Sequence, residues 1–200
     1  MQVLHYKEIC VILMRIIMNK KEIAAQSRQW LINSLLKLMS IKGYNEITVV
    51  DIALNADLAR RTFYRNFNTK EDVLEAYIHQ LCDEYIAYLS NTILSFENIG
   101  FAFFSFWQKH IDFLRTLKEN HMLYFLLEMF NEYLPSTYQF YKGDKAEYDN
   151  DIEKSYALLF SAGGFWNVLV GWLNSETTLS PQEMSKIVTK ALNSFVKEVE

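Results

Sequence analysis

Arg60, Arg61 and Arg65 fall within six positions and are interleaved with Phe63, Tyr64 and Phe67 in the stretch ADLARRTFYRNFNTKED (56–72). Such a cluster suits one kind of chemistry, the recognition of anionic oxygen. An arginine fork bridges two acceptors on a guanine edge or clamps a phosphate, and a tyrosine hydroxyl hydrogen-bonds a phosphate oxygen. The bland alternative is a solvated basic helix face. The surrounding chain is acidic, with a formal net charge of −4 over 200 residues, but the charge is divided unevenly. Between residues 20 and 70, nine Lys and Arg stand against four Asp and Glu, a net +5; from residue 71 onward nine bases stand against nineteen acids, a net −10. The division implies a first part that meets a polyanion and an acidic remainder that keeps the chain soluble.

Other chemistries find little support. There is no GxSxG, P-loop, glycine-rich nucleotide fingerprint or HExxH, and His79, His110 and His121 stand apart from one another. No enzyme activity, cofactor or metal site is therefore expected. Cys10 and Cys82 form no CxxC and imply no disulfide framework, which fits a reducing cytoplasm. The apolar run CVILMRIIM (10–18) is broken by Arg15 and is far shorter than the roughly 20 residues of a membrane span. Glu8 just ahead of it argues against a signal peptide. Met14 and Met18 are both plausible starts, so residues 1–17 are expected to be an extension, either disordered or the product of a misassigned start.

The elements that must position the arginines are helices. Only two prolines and six glycines occur, and apolar residues recur at spacings of three and four. A first helix is expected over about 20–41, with Ile23, Trp30, Leu31, Leu35, Leu38 and Met39 on one stripe and a stop at Gly43. Thr48 and Asp51 read as a capping box for a short second helix ending near Asn55. After a tight turn, a third helix carries RRTFYRNF to Phe67, with Phe63 and Phe67 packed inward against Ile52 and Ala53. Thr69 and Asp72 form a second capping box for a helix running to about Asn91. Helices are then expected over about 98–119, 122–141, 151–174 and 180–199, with KGDKAEYDN (142–150) as a loop and Ser180-Pro181 opening the last helix. Two short helices joined by a tight turn, the second basic, form the arrangement by which a helix-turn-helix lays its recognition helix in a major groove.

The stretch ITVVDIALNADLARRTFYRNFNTKEDVL (47–74) resembles the DNA-binding signature of the TetR family of bacterial transcription regulators. The resemblance implies an all-α chain: an N-terminal three-helix DNA-binding domain (18–68, after the 1–17 extension), followed by a helical effector-binding and dimerisation domain (69–200). It implies DNA contacts by Thr48, Thr62, Tyr64 and Lys70 to the backbone, with Arg60, Arg61 and Arg65 at variable recognition-helix positions. Two residues depart from the pattern. Asp57 stands where the family usually has Gly in the turn, and Ala59 stands where a Ser often caps the recognition helix. Asp57 either adopts a left-handed conformation or serves as the cap in a turn shifted by a residue or two.

SAGGFWNVLVGWLNSETTLSPQEMSKIV (161–188) is similar to the C-terminal region of a TetR subgroup common in low-GC Gram-positive bacteria. That similarity implies a homodimer whose last two helices pair with their copies, with Gly163, Gly164, Trp166 and Trp172 in the interface. It further implies a dimer meeting a near-palindromic double-stranded operator, most simply as a repressor, in the cytoplasm. The aromatic segments 101–117 and 121–134 supply Phe103, Trp107, His110, Tyr124, Phe125 and Glu128 as candidates to line a site for an apolar or aromatic effector. The competing reading of these aromatics is plain core. The alternative function is a helical dimer whose partner is another protein, with DNA binding secondary or lost.

Overall fold

The computed structural model describes residues 2–90, 96–142, 150–175 and 179–197, and these are helical with no strand among them. The helices are α1 (Gln2–Met39), α2 (Val49–Asn55), α3 (Arg60–Asn66), α4 (Lys70–Leu89), α5 (Phe96–Lys109), α6 (Ile111–Glu119), α7 (Leu123–Lys142), α8 (Asp151–Asn174) and α9 (Pro181–Lys197), with a short 3-10 turn at Tyr44–Glu46. The chain divides into two compact units, Met1–Tyr77 and Ile78–Glu200.

In the first unit α1, α2 and α3 pack on one another. The core is built from Leu31, Ile32, Leu35, Leu38, Met39, Ile47, Ile52, Phe63, Phe67, Val73 and Leu74. The α1 stripe differs from the expected one at its N-terminal end, because Ile23 and Trp30 are exposed (57% and 45%). Trp30 lies one residue, about 100° of helix, from Leu31, and the inward face continues through Ser27 instead. α1 also begins at Gln2 rather than near residue 20. Gly43 keeps a negative φ (−59°) and caps the 3-10 turn, so α1 ends without the glycine stop expected of it. Ser34 is a buried polar clasp: its hydroxyl donates to the Ile52 carbonyl (2.7 Å) and accepts from Asn55 Nδ2 (3.0 Å), fixing the C-terminal end of α2 to α1.

In the second unit α5 lies against α9 and α7 against α8. Gly100 is what lets α5 and α9 approach, since a Cβ there would sit 3.0 Å from Ser185 Oγ. The single helix expected over 98–119 is two helices, broken at His110, where φ −105° and ψ 21° leave the helical ladder. Neither Pro nor Gly marks the break. α6 closes with His121 at φ 57°, its N–H on Lys118 O and the Met122 N–H on Leu117 O, a Schellman-type end built on a non-glycine residue. Asn150 caps α8 by accepting from the Ile152 and Glu153 N–H groups, while residues 143–149 of the expected loop lie outside the described residues. Ser180 caps α9 as expected, with Pro181 at its first position, and Glu183 completes a reciprocal cap that holds the Glu183 carboxyl below the usual range. Burial and the nearby Asp83 and Glu132 carboxylates push the Cys82 thiol up to about 12, which leaves it an inert core group.

Candidate nucleic-acid interface

The interface begins with the cap of α2. Thr48 Oγ1 accepts from the Asp51 N–H (3.1 Å), and Asp51 Oδ2 accepts from the Thr48 N–H (2.8 Å) and from Lys42 Nζ (2.9 Å). The Lys42 bond leads these in holding the Asp51 pKa at about 2, below its ordinary 3.8. Because the folded pKa is depressed, the stabilising contribution is complete above the unfolded value and is lost as pH falls from about 4 towards 2.

α2 ends in a Schellman turn: Asp57 N–H reaches Leu54 O (3.0 Å) and Leu58 N–H reaches Ala53 O (2.9 Å). This geometry requires a left-handed residue at Asp57, and its φ is 54°. Of the two roles open to Asp57, the structure therefore places it in the turn. Ala59 is the N-cap of α3 and makes no side-chain cap bond. An Asp57→Gly variant is expected to raise the stability of this unit by about 0.5 kcal/mol by relieving the left-handed strain, read as a higher urea midpoint with an unchanged m value.

α3 then sorts its residues as the spacing predicts. Phe63 and Phe67 are buried at 0% and 4% exposure, while Arg60, Arg61, Tyr64 and Arg65 are exposed and Thr62 is half-buried. Arg60 Nη2 donates to the Tyr64 hydroxyl (3.2 Å) and its guanidinium lies over the Tyr64 ring, so two readers of the outer face are pre-arranged one turn apart. Lys70 is positioned differently from its neighbours: its ammonium donates to the carbonyls of Tyr44 (2.8 Å) and Ile47 (3.0 Å) and rests on the Tyr44 ring. It ties the start of α4 to the 3-10 turn. Thr69 and Asp72 cap α4 reciprocally, which lowers the Asp72 pKa. Arg28, which no sequence motif singles out, donates to the Asn66 carbonyl at the end of α3.

Of the six effector candidates, three come together. Phe103, Trp107 and His110 share an aromatic cluster with Phe106, Phe130 and Phe165, at ring separations of 4.6–6.5 Å. Trp107 Nε1 and His110 Nε2 are buried there with no hydrogen-bond partner among the described residues. Glu84 Oε1 is 3.6 Å from His110 Nε2, too long for a hydrogen bond but within ion-pair range of a charged ring. Tyr124 and Phe125 form a stacked pair of their own, with Tyr124 53% exposed, and Glu128 is exposed. His79 is no isolated histidine, since its Nδ1 shares a hydrogen bond with the Tyr133 hydroxyl. Among the described residues no group of three His, Cys, Asp or Glu side chains is placed to hold a metal.

The expected dimer residues divide in the same way. Among the described residues a Cβ at Gly163 or Gly164 would meet nothing within 4 Å, so that face of α8 is open to them. Trp166 and Trp172 are half-buried and have partners within the chain: Trp166 packs on Phe130, and Trp172 packs on Phe104 while its Nε1 donates to the Leu179 carbonyl (3.0 Å). The open apolar side chains are Ile152, Tyr156, Leu159 and Phe160, the last 77% exposed. Among the described helices α8 is long and apolar enough to cross a membrane, which reflects this uncovered face.

The comparisons with known proteins agree with this geometry. Residues 31–77 match the family described as "Bacterial regulatory proteins, tetR family", and residues 95–194 match the "Transcriptional regulator C-terminal region" family. No curated protein sequence matches the chain. Among solved structures, a TetR transcriptional regulator from Streptococcus agalactiae 2603V has the same fold, with a TM-score of 0.64 at 21% identity over 88% of this chain and 98% of that one. A second, described as "Dihydroxyacetone kinase operon activator DhaS", has a TM-score of 0.55 at 18% identity over 86% of this chain and 95% of that one. With both its helix-turn-helix and its C-terminal region matched, the chain belongs to the TetR family and is a ligand-responsive, DNA-binding transcriptional regulator.

Proposed function

We propose that this regulator is a cytoplasmic, non-enzymatic repressor that binds a near-palindromic operator as a homodimer and lets go when an apolar or aromatic effector enters its second unit. The observation that carries the reading is the outer face of α3, where Arg60, Arg61, Tyr64 and Arg65 are exposed together on a basic domain of an acidic chain. Thr48, exposed at the α2 N-cap, and the half-buried Thr62 of α3 are assigned to phosphate contacts, and Lys70 sets the α4 N-terminus, whose dipole favours phosphate. Dimerisation is assigned to the open α8 face around Gly163, Gly164 and Phe160, where two-fold pairing lets one apolar patch cover its copy. For the effector, Trp107 Nε1 is a donor with no acceptor function, and leaving such a group unpaired costs about 1–3 kcal/mol. A ligand presenting an acceptor oxygen among flat apolar rings would remove that cost.

The test is a titration of the purified protein against DNA flanking its own gene at several salt concentrations. Wild type is expected to bind at nanomolar concentration and to outcompete unrelated DNA. Arg61→Ala is expected to weaken binding by at least about tenfold, with a shallower salt dependence if the lost contact is to phosphate. Unchanged affinity in this variant would move DNA recognition to another surface. The sign of control is read from a reporter under the bound promoter: repression shows as higher expression when the gene is deleted, and activation, the role that the name of the DhaS neighbour gives to that protein, shows as lower expression.

A further inference from the structure

α3 has only seven residues and no side-chain cap at Ala59, so it has little stability of its own. Its C-terminal carbonyls, however, are unusually well satisfied. Thr62 O accepts from Asn66 Nδ2 (2.8 Å), Phe63 O accepts from the Phe67 N–H (2.9 Å), and Asn66 O accepts from Arg28 Nη1 (2.9 Å), a residue 38 positions earlier on α1. The Arg28 guanidinium also lies 4.1 Å from the centroid of the Phe67 ring, one of the two aromatics that seat α3. A cation at a helix C-terminus is favoured by the helix dipole, and a planar guanidinium can donate to a carbonyl while lying flat on a ring.

We infer that Arg28 is a positioning residue for DNA recognition: it fixes the recognition helix to α1 from behind, and its charge is directed to the α3 terminus rather than to phosphate. The sequence alone invites the opposite assignment, because Arg28 is one of the nine bases of the basic segment. The inference rests on α3 being the recognition helix, and it separates two ways in which an arginine can support binding. A base that neutralises phosphate contributes to the salt slope, about 0.9 for each phosphate. A base that orients the helix contributes affinity and specificity with no salt signature.

The experiment uses the full-length protein and a duplex that wild type itself selects from a random-sequence pool, so that it does not depend on the operator's position or the sign of control. Arg28→Ala, Arg28→Gln and Arg28→Lys are titrated by fluorescence anisotropy across a salt series, with Arg61→Ala alongside and a thermal melt of each. Arg28→Ala is expected to bind the selected duplex about tenfold more weakly at every salt concentration, with the wild-type slope and unchanged affinity for random DNA. Arg28→Gln, whose amide can still donate to Asn66 O, and Arg28→Lys should recover part of the loss. A slope reduced in Arg28→Gln would make Arg28 a phosphate contact and overturn the inference, as would wild-type affinity in Arg28→Ala. Should Arg28→Ala melt below the assay temperature, the slope and specificity of Arg28→Gln and Arg28→Lys decide. If wild type selects no duplex, or Arg61→Ala binds like wild type, it is the α3 assignment that fails; the clamp itself is then read from amide exchange of α3, which must quicken in Arg28→Gln for the clamp to stand.

Discussion

Phe160→Glu is expected to give a folded monomer whose operator affinity is at least about a hundredfold below wild type. Within one chain the substitution touches little, because Phe160 is 77% exposed, and surface changes of this kind usually stay within about 0.5 kcal/mol. In the proposed two-fold dimer the same position would occur twice, among the exposed Ile152, Tyr156 and Leu159. Covering an exposed phenylalanine contributes about 2–3 kcal/mol, so loss at two symmetric positions weakens dimerisation by about 4 kcal/mol, roughly a thousandfold, before the buried glutamates are counted. A monomer presents a single α3 and loses the advantage of linked half-sites. Light scattering after size-exclusion chromatography, with a thermal melt as control, makes the check. A folded variant that remains dimeric at low micromolar concentration would place the interface on another face.

The second large effect is expected at Phe63→Ala. Phe63 is fully buried and pairs with the Phe67 ring, and truncating a buried phenylalanine costs about 3–5 kcal/mol. Against a typical total of about 5–15 kcal/mol, that leaves the helix-turn-helix marginal. Operator binding should vanish, and limited proteolysis should cut within α2 and α3. Residues from Ile78 onward form a compact unit of their own, so dimerisation should survive. Tyr64→Phe, one residue on, removes an exposed hydroxyl and should leave the melt unchanged while weakening DNA binding modestly. Equal losses of stability in the two variants would mean that α3 is seated differently.

The parts of this fold that could be read from sequence are those whose signals are local. The caps Thr48–Asp51 and Thr69–Asp72 each lie three residues apart, Ser180 directly precedes Pro181, and the inward pair Phe63 and Phe67 lies four apart; all were legible and all are present. What escaped was non-local, or lacked a breaker residue. The break at His110 and the left-handed His121 carry neither Gly nor Pro, because neighbouring packing and backbone hydrogen bonds hold them. Trp166 and Trp172 were expected in the dimer interface; their ring partners on α7 and α5 within the chain could not be read from the sequence. The clamps Arg28–Asn66 and Lys70–Tyr44 join residues 38 and 26 apart, a pairing no helical period encodes. Of the site itself, the outward arginines of α3 were readable from spacing alone, whereas the separation of Tyr124 and Phe125 from the Trp107 cluster depends on where α6 ends.

The uncovered face of α8 has a consequence for the cell as well as for the molecule. If that face is closed by a second copy, the DNA-binding species forms in proportion to the square of the monomer concentration wherever monomer predominates. A fall in synthesis that growth then dilutes would lower promoter occupancy more than proportionally. Gene dosage would then act on this regulator through the α8 face, independently of any effector.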